Sequence, residues 1–252
     1  MTRRAKVIAH TLCFAIVLSA VATFAQTTRD VPLQSFDGKT ALTTAPATQS
    51  VAVDPSTPRG ALKSLIHAME TGDGDQIKSL IATSNPSEDK MVAAMANMSV
   101  SQKKFRDAAD TAFGANSKEL TGDTNAATTE GMAKIDAAQE TINGDKAVID
   151  SGPAAGTPPL TLTKSGNQWK IPISELSRGV DQSTIDQRLA DLAFMSGLMN
   201  DSATEISKGT YKTPKDAGDA IKSKMMTAMM QRAAAATRPT TAPADSAQKE
   251  AN

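Results

Sequence analysis

Apolar positions recur every three or four residues over most of the chain and switch to alternation over two stretches in its middle. Leu62, Leu65, Ile66 and Met69 fall on one face of a helix that opens at Thr57-Pro58 and stops at Gly72. Thr supplies an N-cap oxygen, and Pro is tolerated at the first helical position because its missing N–H has no partner to lose. Ile77, Leu80 and Ile81 mark a second, short helix. Asn85-Pro86 opens a third, long helix whose stripe is Met91, Met95, Met98, Phe105, Ala109 and Phe113, with Gly114 as its stop. After a polar stretch at 115–130, Ala133, Ile135 and Ala137 alternate with Lys134, Asp136 and Ala138, a pattern that predicts a strand. Asn143-Gly144 signals a hairpin turn into a strand at 146–151. A Gly/Pro-rich loop follows at 152–159. A second hairpin then places Leu160 and Leu162 on one side, and Trp169, Ile171 and Ile173 on one side, around Ser165-Gly166-Asn167. Pro172 removes a ladder donor, so the last strand ends there or lies at an edge.

Helical spacing returns at 182–207, where Ile185, Leu189, Leu192, Met199 and Ile206 form one stripe. Thr213-Pro214 opens a final helix that runs to about 236. Thr-Pro-basic-x-Ala occurs at both 57–61 and 213–217, but the residues that follow do not match, so this is shared capping chemistry and not a repeat. Both C-terminal helices carry a second apolar face. Phe194 and Leu198 lie one turn apart, roughly opposite Ile185, Leu189 and Leu192. Met226 and Met230 lie one turn apart, away from Ala217, Ile221 and Ala228. The two faces either pair with each other as a helical hairpin or form a surface for a partner, which makes Phe194, Leu198, Met226 and Met230 the candidate partner-binding residues.

Three helices followed by antiparallel hairpins is the order of an α+β domain, here with a C-terminal helix pair. The ends differ in composition. Arg3, Arg4 and Lys6 precede a nearly all-apolar run at 7–22, and Ala20-Val21-Ala22 and Thr23-Phe24-Ala25 follow as small-residue patterns. This is the layout of a secretory signal peptide over 1–25, with a run short of the ~20 residues that span a bilayer. An uncleaved anchor helix is the alternative. Leu12 before Cys13 is too large for a lipoprotein site. Residues 26–54 and 237–252 are Thr/Ala/Pro-rich and read as disordered linker and tail. Between them lie an α+β domain at 55–176 and a helical extension at 177–236.

The stretch from Thr57-Pro58-Arg59-Gly60-Ala61-Leu62 to Gly72-Asp73, with the short second helix, resembles the opening of a nuclear-transport-factor-like (ketosteroid-isomerase-like) cone domain. Leu160-Thr161-Leu162-Thr163-Lys164 with Gly166-Asn167-Gln168-Trp169-Lys170-Ile171 resembles the strand pair that closes that fold. The resemblance covers roughly 57–175. It implies N-terminal helices packed on a curved antiparallel sheet. It does not imply an activity, because members range from isomerases to non-catalytic exported domains.

Charge and chemistry narrow the function classes. Lys+Arg 27 balance Asp+Glu 27, which excludes a polybasic nucleic-acid binder. One Cys excludes a disulfide scaffold, and it lies in the signal segment. Removing that segment leaves His67 as the single histidine, which excludes a Ser-His-Asp triad and a His-based metal site. His67 lies roughly opposite the Leu62/Leu65/Met69 stripe, which predicts a solvated side chain. Asp136, Glu140 and Asp150, on predicted strands, are acid–base candidates if they face a cone cavity. In isomerase-like members an acid works with a Tyr, whereas the single Tyr here is Tyr211, outside the cone. Thioethers can hold Cu(I), and Met226-x-x-Met229 has a suitable spacing, but packing on apolar stripes accounts for most of the methionines. The expectation is therefore an exported, non-catalytic binding or structural module with no cofactor and no metal. Its partner is a protein or a small apolar ligand, with no nucleic acid and no stable membrane insertion after cleavage. A small-molecule enzyme or carrier using the cone cavity is the alternative. A cavity filled by Leu65, Met69, Leu162 and Trp169 would count against that alternative.

Overall fold

The computed structural model describes residues 54–152, 158–178 and 184–236. The signal segment, almost all of the 26–54 linker and the 237–252 tail lie outside the described residues, as does most of the 152–159 loop.

Helix α1 (Pro58–Thr71) starts where the Thr57 hydroxyl accepts the Gly60 N–H at 3.1 Å. It ends on Gly72 in the left-handed region, φ 67°. A Cβ at Gly72 would also come within 2.7 Å of the Lys103 Cβ, so glycine is required there for space as well as for conformation. Helix α2 (Gly74–Leu80), capped by Asp73, leads directly into the two-residue strand β1 (Ile81–Ala82). Helix α3 (Pro86–Phe113) is 28 residues long, about 42 Å at 1.5 Å per residue. The Asn85 side chain accepts from the Ser87 and Glu88 N–H groups at its start.

A 3-10 turn (Gly114–Ser117), helix α4 (Lys118–Thr121) and helix α5 (Thr124–Ala137) follow. This corrects the expectation of a polar stretch and then a strand. Ala133, Ile135 and Ala137 are helical, although their alternation with polar residues mimics a strand. The segment is rich in Ala, the best helix former, and Asp123 caps it through the Ala126 N–H at 3.1 Å. Helix α5 packs against α1, where a Cβ added at Gly131 would sit in ordinary contact, 3.6 Å from the Ile66 Cδ1, and Ile135 packs against the core.

Strands β2 (Gln139–Asn143), β3 (Lys146–Asp150), β4 (Leu160–Ser165) and β5 (Gln168–Pro172) form an antiparallel meander in the predicted hairpins. The sheet has five strands in the order β1-β5-β4-β3-β2, because β1 adds in parallel to β5 with Ile81 opposite Ile171. Pro172 ends β5, and the short helix α6 (Ile173–Leu176) begins at once. The molecule is thus α+β, with helices packed on a mixed open sheet and a C-terminal helix pair, α7 (Ile185–Ser207) and α8 (Pro214–Ala236).

Two clusters make the core. In the first, Leu62, Leu65, Ala68, Ile77 and Leu80 from the N-terminal helices meet Ala147, Ile149, Leu162, Trp169 and Ile171 from the sheet. Met91, Val92 and Ala96 from the first half of α3 complete it. The second joins Met98 and Phe105 of α3 to Met199, Ala203 and Ile206 of α7 and Ala217 of α8. Helix α7 runs parallel to α3. Met91 and Met95 share a cluster with Ile185 and Leu189, Ser101 hydrogen-bonds Ser196 and Asn200, and the far ends of both helices meet around Phe113 and Ile206. α3 therefore spans both clusters and ties them together.

Candidate functional site

The carboxylates expected at a cavity are not brought together around one. Asp136 is on helix α5, exposed, and forms an ion pair with Lys63. Glu140 on β2 faces Arg59, whose Nε lies 3.5 Å away and whose guanidinium also donates to the Ala138 carbonyl at 2.6 Å. Asp150, at the end of β3, accepts the Gly152 N–H at 2.8 Å. Each of the three holds a neighbouring backbone or helix in place. Between helices and sheet, Leu65, Leu162 and Trp169 are buried in one cluster with Met69 packed against it, so side chains fill the space between them. His67 is exposed. Among the described residues no group of three or more His, Cys, Asp or Glu is placed to hold a metal ion, and no helix is long and apolar enough to cross a membrane.

The four partner-binding candidates fare differently. Leu198 is buried and Phe194 half-buried on α7. Met226 is 57% exposed and Met230 70% exposed on α8, with Met229 between them at 60%. The two apolar faces therefore do not pair with each other. The reason lies in what orients α8. Thr213 and Asp216 cap it reciprocally, each side chain accepting the other's N–H at 3.1 Å. Its first turns dock through buried Ala217 and half-buried Ile221, and Gly218 packs on Leu120 of α4. Glu205 on α7 then takes both the Lys224 ammonium, at 2.6 Å, and the Tyr211 hydroxyl, at 2.5 Å. These contacts fix the rotation of α8 about its axis, which turns Met226, Met229 and Met230 outward. Packing on an apolar stripe does not account for these three.

The Glu205 cluster also sets protonation. Hydrogen bonds from Lys224 and Tyr211 hold the Glu205 carboxyl below its ordinary range, and the bond to Glu205 with burial pushes the Tyr211 phenol above its ordinary value. The Glu205 contribution to holding α8 is thus present above about pH 4.5 and is lost as pH falls through the lowered value. The Tyr211 contribution is present below pH 10 and is lost as pH rises through the raised value. Tyr211 is the single tyrosine, so its phenolate absorbance reads this directly. In Glu205→Gln the Tyr211 titration midpoint is expected to fall back toward 10; equal midpoints in the two proteins would show that Glu205 does not hold the phenol.

A second feature has no signature in the local sequence. The C-terminal halves of α3 and α7 leave between them an open groove of about 1120 Å³. Ala108, Phe113, Ala203, Ile206 and Tyr211 line it, and Lys104, Lys208 and Lys212 stand around it. A smaller cleft of about 210 Å³, between α3, α4 and the end of α1, contrasts with it. There Lys103 bonds Asp107, Lys118 bonds Asp123, Ser117 donates to Asp110, and Arg106 donates to the Glu70 carbonyl. Two lysines of that cleft pair with aspartates, whereas the three lysines of the groove form no ion pair with a described carboxylate, although Lys208 attracts Glu205.

Comparison with known proteins gives no family: no family model, no curated protein and no solved structure matches the chain.

Proposed function

We propose that this chain is an exported binding module without catalysis of its own, in which the α+β body holds out α8 as a contact surface for a partner protein. The observation that carries the reading is the orientation of Met226, Met229 and Met230, exposed on a helix whose opposite side is capped, docked and salt-bridged. Covering a side chain of this size is worth on the order of 1.5–3 kcal/mol, and flexible thioethers adapt to varied partner surfaces. Export is supported by the basic, apolar and small-residue order of 1–25. The helices that precede two hairpins support a nuclear-transport-factor-like body, with the parallel strand β1 and the long α3–α7 pair as additions to a minimal cone. The alternative, an enclosed small-molecule site, requires Leu65, Met69, Leu162 and Trp169 to stand aside from one another.

Replacing Met226 and Met230 together with Gln tests the proposal. The variant is expected to unfold within about 0.5 kcal/mol of the parent, as exposed substitutions do. It is also expected to lose the proteins that co-purify with the parent from the envelope fraction. A variant that loses folding cooperativity would make these methionines core residues. A stable variant that keeps every associated protein would remove α8 as the contact.

A further inference from the structure

The groove between α3 and α7 combines two properties that together specify a ligand chemistry. Its floor is apolar, with Ala203 and Ile206 buried and Phe113 and Tyr211 half-buried. Its surroundings carry three lysines that form no ion pair with a described carboxylate, although Lys208 lies near enough to Glu205 to attract it. Of the carboxylates beside it, Asp107 accepts from Lys103 at 2.6 and 2.7 Å, and Glu205 accepts from Lys224 and Tyr211. Lys104, Lys208 and Lys212 are exposed and make no ion pair with a described residue. From Lys104 to Phe113 the groove follows ten residues of α3, about 14 Å from first to last. That length accepts an extended alkyl chain of about ten carbons lying along the floor, with an acidic group reaching either Lys104 at one end or Lys208 and Lys212 at the other.

From this we infer that the groove binds a small anionic amphiphile, an alkyl chain carrying a carboxylate, phosphate or sulfate head. The chain covers the part of Phe113 and Tyr211 that is otherwise in water. The head accepts charge-assisted hydrogen bonds from lysines that donate to no carboxylate among the described residues. A neutral chain gains only the first contribution, and a cationic one is repelled by the rim. The site is separate from the exposed methionines of α8 and does not depend on them.

Titration calorimetry of the whole mature chain with monomeric dodecanoate tests the inference, with dodecyltrimethylammonium as the cationic counterpart. Dodecanoate is expected to bind with 1:1 stoichiometry, at least about tenfold tighter than the cation, the factor that one charge-assisted contact supplies. Its affinity should weaken as salt is raised. The triple variant Lys104→Gln, Lys208→Gln, Lys212→Gln is expected to lose about tenfold while keeping its circular dichroism. Ala112→Trp, on the exposed groove wall, is expected to abolish binding with every lysine in place. Equal affinity for the two amphiphiles, or binding that both variants retain, would overturn the inference. Binding only to phosphatidylglycerol vesicles, with none to monomeric dodecanoate, would give the lysines to a membrane surface instead. A protein that is dimeric without ligand, and monomeric as the triple lysine variant, would seat a second copy on the groove. Either of these last results also overturns the inference.

Discussion

Leu162→Ala is expected to destabilise the protein by about 2–5 kcal/mol, the range for removing a fully buried Leu side chain and leaving a cavity. Leu162 is 0% exposed on β4, opposite Ala147 of β3, in the cluster that joins the sheet to α1, α2 and α3. The cluster around it draws on α1, α2, α3 and the strands, so no single element can move in to close the space. Trp169 is the single tryptophan and is buried in the same cluster, so denaturant unfolding followed by its fluorescence reports the change directly. Ile142→Ala on the outer strand β2, where the side chain is 54% exposed, is the control and should stay within about 1 kcal/mol. Equal losses at the two positions would mean that helices and sheet do not share the core described above.

Ile206→Ala should cost a similar amount, about 2–5 kcal/mol, for a different packing reason. Ile206 is 1% exposed and lies where α7 meets Phe105 of α3 and Ala217 of α8. The two clusters are joined through α3, and Leu192 packs against both. The loss should therefore appear in one cooperative transition. Trp169 reports the first cluster and Tyr211 packs against the second, so both probes are expected to shift to the same lower midpoint. A shift seen by Tyr211 alone would show that α7 and α8 fold as a separate unit.

The elements that were legible in the sequence are those whose signals are local. Thr57-Pro58, Asn85-Pro86 and Thr213-Pro214 mark helix starts because the cap and the first turn are contiguous. Asn143-Gly144 and Ser165-Gly166-Asn167 mark the hairpins for the same reason. Helix α5 was not legible, since Ala-Lys-Ile-Asp-Ala fits either period and the deciding packing, of α5 against α1, joins residues far apart in the chain. Strand β1 is two residues long and is created by its pairing with β5. The second apolar faces of α7 and α8 follow from their spacing, but spacing does not say which face is covered. That was decided by Glu205, Tyr211 and Lys224, an arrangement no periodicity encodes. The groove is further still from sequence reasoning: Lys104 and Lys208 line one groove only because α3 and α7 run side by side.

Limited peroxide oxidation with peptide mass spectrometry tells whether α8 offers its methionines to a partner. Thioether oxidation follows exposure, so in the purified protein Met226, Met229 and Met230 should convert first and Met91, Met98 and Met199 last. In the native envelope extract the same three methionines should become protected while the order among the buried ones is unchanged. Oxidation of Met226, Met229 and Met230 at the same rate in both preparations would contradict the claim.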